Sequence, residues 1–558
     1  MKRTAALFVL AAFTLLFASC KSGGKTGLFI PKNAAIVIQV SPSSLSSKLS
    51  WDEIKKTQWF QDLSKENSDS FAAKILDNPE AAGMDMKKDF AFFMKKQGSG
   101  GYGVFEGSIK DAAAFEALNK KISKKDKAEK DGEWNMIAMD NNSYVAWNND
   151  RFAYINDMPD LNTTGSFGMG GGAMERKQIS GDSLKIFLKQ TLTLSGGESL
   201  DDDDRFTSLL KISGDVHFWM NTGELMSGMA PMMSMMKVGS LFEGNISAAT
   251  LNFDDGKISV KANQYYGKEM SKLMEKFDSK SISESVINRI PSQNVIGVLA
   301  TNFNPETMKE FVKALGMDGL MNMFFAQQEF TMDDIFSATK GEFVMALTDL
   351  SVKNVIDTVP NYGEESSVPR TYKTTKPDMH FLFATSVNKK ASFDKLLNVM
   401  NQKMPTLPFT YKLTNDWFVA GNHPESVDGF MAAGNTKQPF ASKISGHPFG
   451  MYVDIQKILK SNLTQDSTGN VFMNESANMW QDAIATGGEY KNGAMTSEFV
   501  VNLVDKTTNS LKQISRYAEK MNALRKQQRM VMMHDMNNMD DSDGGKVMSA
   551  PPAVDADN

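Results

Sequence analysis

Ile30-Pro31-Lys32-Asn33-Ala34-Ala35-Ile36-Val37-Ile38-Gln39-Val40 returns further along the chain as Ile290-Pro291-Ser292-Gln293-Asn294-Val295-Ile296-Gly297-Val298-Leu299-Ala300. Each copy reads as a proline stop followed by a buried strand, because proline cannot donate to a sheet ladder and the apolar run behind it is short. Working outward, the same order of elements follows both copies. Helical patterns cover 51–63 and 305–315. Paired strands come next, 90–94 with 103–106 and 343–347 with 381–385. A matching helix then follows each pair, Phe115-Glu116-Ala117-Leu118 and Phe393-Asp394-Lys395-Leu396. Asn149-Asp150-Arg151-Phe152-Ala153 is answered by Asn415-Asp416-Trp417-Phe418-Val419, and Lys211-Ile212-Ser213-Gly214 by Lys443-Ile444-Ser445-Gly446. Asp254-Asp255-Gly256-Lys257 is answered by Lys491-Asn492-Gly493-Ala494, where Asp-Gly and Asn-Gly both suit a type I′ hairpin turn. The offsets of 260, 278, 266, 232 and 237 require two insertions, at 158–205 in the first copy and 349–379 in the second. The pattern predicts an α+β chain made of two similar halves from internal duplication, 29–280 and 289–526. Each half is expected to be a mainly antiparallel sheet with helices on one face.

The composition bounds what such a chain can do. With 558 residues, 61 Lys+Arg against 66 Asp+Glu and a net charge of -5, it lacks the basic face that nucleic acid requires. One cysteine excludes a disulfide framework and a cysteine-based zinc site, and five histidines leave little room for a histidine cluster. Methionine is the outlier, at 39 residues.

The first nineteen residues read as a leader. Lys2 and Arg3 precede an apolar run over 5–18, too short to span a bilayer of about 30 Å, and Phe17-Ala18-Ser19-Cys20 ends it. That run resembles the lipobox of bacterial lipoproteins, with Phe17 in the usual aliphatic position. The resemblance implies a lipoprotein signal peptide over 1–19 and an acylated Cys20, with a short tether over 20–28. The tether lacks an acidic run, so a periplasm-facing, lipid-anchored position is expected; an ordinary secretory signal is the alternative. No further apolar run over 28–526 is long enough to span. Beyond Leu524 the apolar period ends, and 527–558, rich in Met and Asp, is expected to be disordered.

The motifs that could carry chemistry each have a plainer reading. Gly168-Met169-Gly170-Gly171-Gly172 sits inside a polar insertion instead of between a strand and a helix, and reads as a loop. Ser386-Val387-Asn388-Lys389 matches Ser-x-x-Lys, but the only Lys-Thr-Gly, at 25–27, precedes it, so a turn role for Ser386 is preferred. Asp201-Asp202-Asp203-Asp204 lacks the interleaved glycine of a calcium loop; it reads as a solvated loop or as the charged start of the helix near Phe206. His217, His380, His423, His447 and His534 show no metal-ligand spacing, and each reads as a surface or turn residue.

Met226, Met229, Met233 and Met236 fall on one helical face despite Gly228 and Pro231. They could fill core space, line an adaptable apolar groove, or bind Cu(I) through soft sulfur, an idea that Met532 and His534 extend to the tail.

With these segments in hand, Ile30-Pro31-Lys32-Asn33-Ala34 and Asn78-Pro79-Glu80-Ala81-Ala82-Gly83-Met84-Asp85 resemble an uncharacterised family of bacterial lipoproteins, domain of unknown function 4836. The resemblance covers 28–526 and implies a location without a reaction. The expectation is a lipid-anchored cell-envelope protein of non-catalytic binding or structural type, with an apolar ligand or an envelope protein as partner and no cofactor. Soft-metal binding through the methionine-rich segments is the alternative, and an envelope enzyme the third reading.

Overall fold

The computed structural model describes residues 27–66, 80–98, 100–140, 142–158, 178–195, 197–226, 238–276, 279–327, 330–359, 370–403, 408–434, 436–461 and 467–540. Eighteen strands and nineteen α-helices lie among them. The first ten strands are β1 (Ile36–Val40), β2 (Phe90–Gln97), β3 (Gly100–Ser108), β4 (Glu129–Asp131), β5 (Trp134–Asp140), β6 (Ser143–Trp147), β7 (Arg151–Met158), β8 (Val216–Asn221), β9 (Ile246–Asp254) and β10 (Lys257–Tyr265). The other eight are β11 (Val295–Asn302), β12 (Thr339–Val359), β13 (Arg370–Val387), β14 (Thr410–Leu413), β15 (Trp417–Gly421), β16 (Phe449–Val453), β17 (Trp480–Lys491) and β18 (Ala494–Leu503). The chain is thus α+β, with one large sheet.

Every pairing is antiparallel, and together they order the sheet β4-β5-β6-β7-β3-β2-β1-β8-β9-β10-β18-β17-β16-β11-β12-β13-β15-β14. Outward from β10 the order runs β9, β8, β1, β2, β3, β7, β6. Outward from β18 it runs β17, β16, β11, β12, β13, β15, β14, which is the same order under the sequence echoes. At the seam Lys257 pairs with Asn502, Lys261 with Glu498 and Tyr265 with Ala494. The 237-residue offset of the two hairpin turns carries Lys261 onto its own partner Glu498, so this pairing has the self-complementary form of a two-fold interface. The turns themselves differ. Asn492 and Gly493 both take positive φ (53° and 78°), as a type I′ turn requires, whereas in the first hairpin only Gly256 does (67°). Asp255 is instead bridged to Asn509.

Helices cover both faces of the sheet, which corrects the expectation of one. On β7, Phe152 and Tyr154 pack towards Phe115 of the helix Ala112–Ser123, while Ala153 and Ile155 pack with Leu184, Leu188 and Leu192 of the helix Gly181–Leu192. On β15, Phe418 and Ala420 meet Phe393 and Leu397 of the helix Lys390–Lys403, while Trp417 and Val419 meet Val427 and Phe430 of the helix Pro424–Met431. The physical cause is in the sequence. Phe152-Ala153-Tyr154-Ile155 and Trp417-Phe418-Val419-Ala420 are unbroken apolar runs, the mark of a strand buried on both sides. The two aromatic stacks correspond: Phe115 on Phe152 at 5.0 Å and 28°, Phe393 on Phe418 at 5.1 Å and 22°.

The second-half insertion forms the distal part of the long β12–β13 hairpin, which stays paired to Val359 and Arg370. In the first-half insertion, Asp203 caps the helix Asp204–Leu210 by accepting from Arg205 N–H at 2.9 Å, the charged helix start that was one of the two readings. The last helix, Ser510–Asp540, corrects the expectation of disorder from 527: Lys526-Gln527-Gln528-Arg529-Met530 are good helix formers and no Gly or Pro intervenes before Gly544. Residues 541–558 lie outside the described residues. Among the described residues no helix is long and apolar enough to cross a membrane.

Candidate functional site

Two corresponding places in the sheet, one filled and one open, define the site. In the first half β3 turns Glu106 inward, where it is fully buried. Phe29 N–H donates to both carboxylate oxygens at 3.0 Å, and the Arg151 guanidinium stands 3.4 Å away. Arg151 also lies over the Phe29 ring, 4.1 Å from its centroid. Burial pushes the Glu106 carboxyl up to about 7, against the opposing pull of Arg151 and the Phe29 N–H. The chain's own carboxylate thus occupies the guanidinium here.

In the second half the same positions carry other residues. Arg289 stands where Phe29 does, immediately before the Ile-Pro pair, and Trp417 stands where Arg151 does, after Asn-Asp. The cation and the ring have changed places. The Arg289 guanidinium lies 5.1 Å from the centroids of both Trp417 and Phe430, and its Nε–H donates to the Phe430 carbonyl at 3.3 Å. The counterpart of Glu106 is Ala384: Glu106 pairs with Ala153 across β3–β7, and Ala384 with Val419 across β13–β15. Beside Arg289 lies a cavity of about 600 Å³, lined among others by Lys280, Arg289, Lys340, Glu342 and Asp416.

None of these three cations lies within ion-pair distance of a carboxylate among the described residues, although Glu342 and Asp416 act on Arg289 at longer range. Burial raises the Glu342 carboxyl above the usual range, opposed by Arg289 and Lys340. Burial lowers Arg289, whose Nε–H is taken by the Phe430 carbonyl while its side chain lines the cavity. A guanidinium so placed can take a carboxylate or phosphate in bidentate fashion, and a cavity of this size suits a small organic molecule. A second, more apolar cavity of about 450 Å³ crosses the seam, with Val260, Met308, Phe449, Met495 and Phe499 on its walls.

The residues singled out in the sequence fall elsewhere. Cys20, Met229, Met233, Met236 and the glycine run at 168–172 lie outside the described residues. Met226 is half-buried at the end of the helix Thr222–Met226. Met532 and His534 lie on the helix Ser510–Asp540, with side chains outside the described residues. Ser386 lines the Arg289 cavity and accepts from Glu342 N–H at 3.3 Å. His217 Nε2 is 2.8 Å from the Ile212 carbonyl, and His447 stands 3.8 Å from Glu489. His380 and His423, 43 residues apart, stack at 3.6 Å. Sequence reading passed over Arg289, Arg151 and Glu106. The signal for the two arginines was present, since both depart from otherwise matched segments.

The family described as a domain of unknown function, DUF4836, matches residues 28–362, more than half of the chain. No curated protein matches it. Among solved structures, crystal forms IV, III and I of TP0453 are each 12% identical. They cover 46%, 46% and 45% of this chain and 87% of TP0453, with TM-scores of 0.22, 0.23 and 0.21. With 28–362 matched throughout, the chain belongs to the DUF4836 family.

Proposed function

We propose that this chain is a lipid-anchored cell-envelope protein, non-catalytic and built by internal duplication, that binds a small organic anion in the Arg289 cavity. The observation that carries the binding reading is the exchange between the halves. Where Arg151 is met by the internal carboxylate of Glu106, the corresponding strand position carries Ala384, and Arg289 lines an open cavity. An external carboxylate or phosphate would supply what the second half lacks. The duplication is supported by the repeated strand order and by the paired stacks of Phe115 on Phe152 and Phe393 on Phe418. The anchor is supported by Cys20, the only thiol, at the end of an apolar leader.

Native mass spectrometry of the chain purified from envelopes tests both parts. The expected product begins at an acylated Cys20 and carries a small acidic molecule that Arg289→Gln abolishes. An unmodified Cys20 with its leader attached contradicts the anchor. A retained neutral lipid or peptide, insensitive to Arg289→Gln, would move the binding site to the apolar cavity at the seam.

A further inference from the structure

We propose that Asp378, His380 and His423 form a binding site for a divalent transition-metal ion of the zinc class. Asp378 and His380 are two apart on β13, so their side chains share one face. Opposite them β12 is bulged: Thr348 pairs with His380 and Ser351 with Asp378, leaving Asp349 and Leu350 against Met379 alone. Asp349 takes φ +57°, a strained left-handed conformation of the kind that recurs at functional sites. The bulge aims its carboxylate inward, fixed by Ser292 Oγ–H donating at 2.8 Å, so that the other oxygen lies 3.6 Å from His380 Nδ1.

His423 arrives from a different element. It precedes the helix Pro424–Met431, and its position is set by Asn422, whose side chain accepts from Phe381 N–H at 2.7 Å and donates to the Met379 carbonyl at 2.8 Å. The two imidazoles stack with centroids 3.6 Å apart. His423 Nε2 stands 3.8 Å from Asp378, and its Nδ1 3.4 Å from Glu425. One donor atom from each of Asp378, His380 and His423 lies within 4.8 Å of the other two. Two nitrogen or oxygen ligands of one tetrahedral zinc ion stand about 3.4 Å apart, so side-chain movement of about 1.5 Å closes the set.

The surroundings are those of a metal site. Carboxylates of Asp349 and Glu425 stand beside the Nδ1 atoms of the two rings, where such groups orient metal-bound imidazoles. The one cation in contact with the three ligands among the described residues, Lys353 on Asp378 at 2.5 Å, has a largely exposed side chain that a metal ion would displace. Three protein ligands with partial exposure leave a fourth position for water.

Equilibrium dialysis of the full chain in detergent against zinc chloride tests this. One zinc per chain is expected, with the dissociation constant raised more than about tenfold by His380→Gln/His423→Gln and by Asp378→Asn, and unchanged by His447→Gln. On the unsubstituted chain, zinc is expected to shield His380 and His423 from diethyl pyrocarbonate and to leave His447 reactive, a readout independent of how the variants fold. No stoichiometric uptake, or shielding that falls on His447 or His534 instead, overturns the site.

Discussion

Glu106 holds a carboxylate out of reach of water, with one half-paired guanidinium and one backbone N–H for company. Its folded value of about 7 lies above the ordinary 4.5, so the folded chain holds the proton more tightly than the unfolded one. That contribution to stability is complete below about pH 4.5 and is lost as the pH rises through 7, on the order of 3 kcal/mol in all. Glu106→Gln is expected to flatten this part of the curve, seen as a smaller shift in urea midpoint between pH 5 and pH 8 than in the unsubstituted chain. Glu342 has the opposite consequence for binding. Its raised carboxyl becomes neutral as the pH falls, leaving Lys280, Lys340 and Arg289 facing Asp416 alone. Anion affinity should therefore rise on acidification, and Glu342→Gln should remove that dependence in a calorimetric titration. The arginine–aromatic exchange was legible, since Phe29/Arg289 and Arg151/Trp417 break matched segments. Glu106 was not. It lies 45 residues from Arg151, and only the β3–β7 pairing brings them together.

Helices bind the two halves reciprocally. Glu519, on the helix Ser510–Asp540, accepts from the N–H groups of Gln58 and Trp59 at 3.1 and 3.0 Å, and so satisfies the exposed first turn of the helix Gln58–Glu66. Asn522 and Lys526 hold Asp62 of the same helix at 2.6 and 2.5 Å. In return Met270 and Met274, on the helix Lys268–Met274 of the first half, cluster with Phe311 and Leu315 of the second. Glu519→Ala is expected to cost about 1 kcal/mol by loss of the cap, measured by chemical denaturation. Phe115→Ala and Phe393→Ala are expected to cost about 3–5 kcal/mol each, and alike, because both empty the same place in a stacked aromatic pair. The helices that carry Phe115 and Phe393 were readable from the sequence. The run of the last helix to Asp540 was not, because its distal part exposes Met530, Val531 and Met533 and so carries no apolar period.

On the scale of the whole molecule, the seam between β10 and β18 makes one sheet of two similar arrangements. Val500 pairs with Ser259 on one side and Ile484 on the other, so Val500→Pro interrupts a strand that both halves share. It should cost about 3 kcal/mol or more and lower a single calorimetric transition; two separated transitions in the unsubstituted chain would show halves that fold apart. The strands after the two Ile-Pro stops, the 90–94/103–106 and 343–347/381–385 pairs and the order of those elements were legible, since they follow from local apolar runs and turn residues; β4, β5, β6 and β14 were not named. The joining of the sheets was not, because the β10–β18 contact depends on which edges meet, and no local pattern encodes that. Nor was the stacking of His380 on His423, which needs both the β12 bulge and the Asn422 bridge. On the proposed reading, the open second-half cavity would take an acidic group from outside the chain onto Arg289. A crystal structure of protein taken from envelopes tests it most directly. An anion within about 3 Å of the Arg289 guanidinium is the result expected; Arg289 closed onto Glu342 or Asp416 in a direct ion pair, with only water beyond, would contradict it.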